Sequence, residues 1–90
     1  VVHGSASDET VLPAMGDEIL GFISALHYSA ALATPDNDRF ARGYRQRYGR
    51  PPSMYSENAY SMARWIVEGI KGAGGNAEDA PRLLEALRRV

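Results

Sequence analysis

Apolar residues along the chain fall into blocks whose spacing differs, and the spacing assigns each block an element. From Ile19 to Leu26 the run Ile19, Leu20, Phe22, Ile23, Ala25 and Leu26 is almost continuously apolar and lacks clean alternation, as in a strand covered on both faces. Val1-Val2 reads as the tail of a further buried strand, and Ser7 or Asp8 then caps a short helix through Leu12 that Gly16 closes. Phe40, Tyr44 and Tyr48 recur at i, i+4 and i+8, one face of an amphipathic surface helix. Its start is set by Thr34-Pro35, a hydroxyl placed to cap and a proline where a missing N–H costs nothing; Gly49 before Arg50-Pro51-Pro52 stops it. A second helix is predicted from about Ser53 to Ala73, with Tyr55, Ala59, Met62, Ile66 and Ile70 on one stripe and Tyr60, Ala63 and Val67 widening it. A stripe that broad predicts burial over much of the circumference. After Gly74-Gly75-Asn76, Asp79 is placed to cap a third helix with Pro81 in its first turn and Leu83, Leu84, Leu87 and Val90 inward.

Composition narrows the function classes. With 44% hydrophobic and 23% charged residues the chain is neither disordered nor a membrane span. A formal net charge of -1 supplies no field to gather nucleic acid, so no nucleic-acid partner is expected. The absence of cysteine removes disulfides and thiolate zinc sites and leaves the redox compartment open. Arg39, Arg42, Arg45, Arg47 and Arg50 make a locally basic stretch, but Asp36 and Asp38 beside them make it a solvated helix face. The tyrosines at 44, 48, 55 and 60 fall at helical spacing and read as core, not as a platform for stacked bases.

Three stretches resemble a known family in their order and spacing. They are Leu12-Pro13-Ala14-Met15-Gly16-Asp17 leading into Gly21 to Ser29, then Thr34-Pro35-Asp36-Asn37 with Phe40, Tyr44 and Tyr48-Gly49-Arg50-Pro51-Pro52, then Glu57-Asn58-Ala59-Tyr60 through Ala73-Gly74-Gly75. Together they resemble the branched-chain amino acid (Leu/Ile/Val) binding proteins of ABC transporters, the type I periplasmic binding fold. The resemblance implies an α/β chain, here a C-terminal fragment of a two-lobe Rossmann-like protein with one or two strands and three to four helices. Residues 1–26 would be a piece of the second lobe with the third interlobe crossing, and 27–90 a helical piece of the first lobe. It also implies a periplasmic or extracytoplasmic location, a small amino-acid-like or aromatic carboxylate solute, and an ABC permease as partner. The remainder of the parent chain, or identical chains, would cover the apolar faces.

Solute binding in open α/β folds occurs at the carboxyl ends of strands, and His3-Gly4-Ser5 sits at such an end. In the family an acidic residue near here holds the ligand ammonium; the best match in this chain is His3, which argues against a plain α-amino acid and for a carboxylate-bearing ligand. His3, Gly4 and Ser5 are therefore expected ligand contacts, with loop capping as the competing reading of His3. His27 and Tyr28 leave the Ile19 to Leu26 segment where the resemblance puts the third crossing. Tyr28 is carried as a further expected contact, against a core ring with one hydrogen-bonded tip.

No catalytic constellation, cofactor or metal is expected. Ser5, His3 and Asp8 lie close together but lack a nucleophile elbow or an oxyanion element. Gly72-Ala73-Gly74-Gly75 follows a helix, whereas a phosphate-binding glycine loop follows a strand. The same fold also serves as the sensor domain of receptors and regulators, and a free-standing helical interaction domain is a third reading.

Overall fold

The computed structural model describes residues 8–90. Two 3-10 turns, Leu12–Ala14 and Asp17–Ile19, precede three α-helices: α1 (Pro35–Tyr48), α2 (Met54–Gly72) and α3 (Ala80–Leu87). The chain divides into two compact units, one ending at Glu57 and the other Asn58–Val90.

In the first unit, α1 forms where its sequence signals place it. Thr34 Oγ1 accepts from the Asn37 amide at 3.2 Å, Pro35 occupies the first turn, and Asp36 and Asp38 face the positive end of the helix dipole. Gly49 ends the helix at φ 72°, a left-handed conformation that side chains resist, and its N–H reaches the Arg45 carbonyl. The aromatic face is a ladder of rings, with centroids 6.0 Å apart for Phe40 and Tyr44 and 4.5 Å for Tyr44 and Tyr48. Tyr28 extends the ladder by an edge contact to Phe40 at 6.2 Å.

The start of α2 is capped twice. Ser53 and Ser56 exchange hydrogen bonds reciprocally, the Ser53 N–H donating to Ser56 Oγ at 2.8 Å and the Ser56 N–H to Ser53 Oγ at 3.4 Å, a capping box with serine in the acidic position. Asp8, distant in sequence, adds a second cap by accepting from the Met54 N–H through Oδ1 at 3.3 Å. Asp8, Pro52, Ser53 and Met54 are all buried, as are Tyr28 and Asn37 of the same unit.

In the second unit, α2 ends in a Schellman arrangement: Gly75 N–H bonds to the Ile70 carbonyl and Gly74 N–H to that of Lys71, with both glycines at positive φ. Asp79 caps α3 by accepting from the Arg82 N–H at 3.2 Å. The helices meet where Trp65 Nε1–H donates to the Leu87 carbonyl at 3.0 Å. A Cβ at Gly69 would overlap the Leu87 side chain, so the close approach requires glycine there.

Several expectations are corrected. No strand forms among the described residues; Asp17–Ile19 is a 3-10 turn, and 22–26 has no regular structure. A strand needs a neighbour for its ladder hydrogen bonds, none is supplied by the described residues, and Gly21 at φ 85° interrupts extended geometry. Leu20 and Ile23 are left 77% and 72% exposed. The short helix expected from Ser7 or Asp8 is instead a turn, in which the Asp8 carbonyl accepts from Val11 and Leu12 before the 3-10 turn at Leu12–Ala14. The α2 stripe is not buried, since Tyr55, Met62 and Ile66 are exposed; Leu84 on α3 is exposed too, and Val90, also exposed, lies beyond the end of α3 at Leu87. The helical periodicity is there, but the described residues provide no second layer for it to pack against. The Val1-Val2 strand lies outside the described residues.

Candidate functional site

The segment from Leu26 to Leu32, between the apolar run and α1, is held by polar contacts on two sides. On one side Asn37, buried in the first turn of α1, uses its whole amide: Oδ1 accepts from the Tyr28 hydroxyl at 2.8 Å, and Nδ2 donates to the carbonyls of Ala30 at 3.1 Å and Leu32 at 2.9 Å. Two carbonyls facing Nδ2 and a hydroxyl facing Oδ1 fix the orientation of the amide. On the other side Glu9 Oε1 accepts from Ala30 N–H at 2.7 Å and from Ser29 Oγ at 3.2 Å. Glu9 Oε2 is buried with no hydrogen-bond partner among the described residues, a costly state for a carboxylate oxygen.

Beside this segment lies a half-open hollow of about 250 Å³. Leu12, Leu26 and Leu32 form its apolar wall; Glu9, Ser24, His27, Tyr28 and Ser29 bring polar groups to it. His27 Nε2 lies 3.5 Å from Glu57 Oε2, joining the segment to the first turn of α2 within the same unit. The arrangement offers apolar surface beside the Glu9 carboxyl, the Ser24 hydroxyl and the His27 imidazole, while the Tyr28 and Ser29 hydroxyls are already engaged; apolar walls with a few polar groups are the usual make-up of a small-molecule site.

Electrostatics follow from burial and partners. Burial, reinforced by the negative charges of Glu9 and Glu57, pushes the Tyr28 phenol up to about 12, so it stays a neutral donor to Asn37. Burial opposes ionisation of Asp8, but hydrogen bonds from the Thr10 hydroxyl and N–H and from Met54 N–H outweigh it and hold the carboxyl below the usual aspartate value.

Of the residues expected to contact solute, His3, Gly4 and Ser5 lie outside the described residues. Tyr28 lines the hollow but is buried, with its hydroxyl committed to Asn37. Sequence reasoning missed Glu9 and Asn37. Neither was assigned a role from the sequence; their contacts span 20 or 21 residues for Glu9 and 9 for Asn37 to Tyr28, beyond any local pattern. Among the described residues there is no group of three or more side chains arranged to hold a metal ion, and no helix is long and apolar enough to cross a membrane.

The sequence profile of a family described as "Periplasmic binding protein" matches residues 1–90. The chain is 32% identical over 87 residues to "Leu/Ile/Val-binding protein homolog 6" of Brucella abortus (strain 2308), covering 94% of this chain and 22% of that protein. Proteins of the same name from Brucella suis biovar 1 (strain 1330) and Brucella melitensis biotype 1 match to the same extent. The chain thus spans about a fifth of the length of these relatives, and no solved structure matches it significantly. A profile matched from the first residue to the last makes this chain a member of the periplasmic binding protein family.

Proposed function

We propose that the chain is part of an extracytoplasmic solute-binding protein that captures a small amino-acid-like or aromatic carboxylate ligand between two lobes and hands it to an ABC transporter permease. The observation that carries this reading is the family match over all 90 residues, joined by relatives whose name is Leu/Ile/Val-binding protein homolog. Residues 1–26 belong to the second lobe with an interlobe crossing and 27–90 to the first. The doubly tied segment around Tyr28 suits a crossing, because it is held to defined points without regular secondary structure. His3, Gly4 and Ser5 supply ligand contacts, and Tyr28 contributes its ring, its hydroxyl being engaged elsewhere. Ligand then stabilises the closed form by the difference between its affinities for closed and open states. The role is binding and delivery, not chemical conversion.

Calorimetric titration of the complete polypeptide carrying these residues, with and without His3→Ala, tests the site. The substitution weakens binding by about 1 to 3 kcal/mol if a buried polar contact is lost; unchanged affinity removes His3 from the site.

A further inference from the structure

We draw no further inference here: the strongest candidate, the exposed apolar surface of α2 formed by Met62, Trp65, Ile66 and Val67, carries nothing because nothing in the structure shows what covers it.

Discussion

The Tyr28 hydroxyl donates a 2.8 Å hydrogen bond to Asn37 Oδ1, and both residues are buried. Asn37 also holds the carbonyls of Ala30 and Leu32, so one amide fixes the path of the chain into α1. Asn37→Ala leaves a hydroxyl and the Ala30 carbonyl without their partner, and denaturant unfolding is expected to report a loss of about 2 to 3 kcal/mol. Tyr28→Phe removes only one bond, and its cost is expected near 1 kcal/mol. Equal, negligible effects of the two substitutions would show that the amide does not organise this segment.

Alkaline titration reads the same pair. The folded-state phenol lies at about 12, above the ordinary tyrosine value of about 10. Its contribution to stability is therefore fully present below about pH 10 and is lost as pH rises through the folded value. Phenolate absorbance should show a late phase near pH 12, and Tyr28→Phe should abolish it. A late phase that survives the substitution assigns it to another tyrosine.

At the acid end one contributing group is Asp8, whose carboxyl is held below its usual value. A depressed folded-state value gives stability that is present above the unfolded value, about 3.9, and lost as pH falls through the folded one. Asp8→Asn is expected to flatten the acid limb of a melting-temperature profile. Asp8→Ala, which removes the acceptor as well as the charge, should cost about 1 kcal/mol near neutrality, the usual worth of a helix cap. An acid limb identical in both proteins would contradict the role of Asp8 at Met54.

What the sequence made legible was local. Thr34-Pro35, Gly49 and Asp79 act on neighbours within four residues, and each behaves in the structure as its chemistry requires. What failed was long-range. The apolar run Ile19 to Leu26 has the composition of a buried strand, but a strand is defined by its neighbours, and the described residues contain none. The same holds for Met62 and Ile66, whose periodicity specifies an apolar face without specifying what packs on it. Glu9 and Asp8 were illegible in their roles because charge alone does not reveal that one grips Ala30 and the other caps α2.

In the second unit the notch at Gly69 is a sharp point of failure. Gly69→Ala puts a methyl into the Leu87 side chain, and overpacking of this kind costs about 1 to 3 kcal/mol. Adding Leu87→Ala should remove the clash, so the two effects are expected to be non-additive in a double-mutant cycle. Simple additivity would show that Gly69 and Leu87 do not touch.

Exposed side chains such as Trp65, Met62 and Leu20 lead us to expect that the isolated 90-residue chain self-associates or unfolds without a sharp transition. Light scattering should then give a mass above the 9.8 kDa of one chain. A 9.8 kDa monomer with a cooperative thermal transition would favour a free-standing helical domain.

Solute binding itself is tested most directly by calorimetric titration of the complete polypeptide carrying this chain against branched-chain amino acids and small aromatic carboxylates. The account predicts saturable binding of one solute per polypeptide for a member of that panel. Absence of heat and of competition across the whole panel, with the protein shown to be folded, would contradict it.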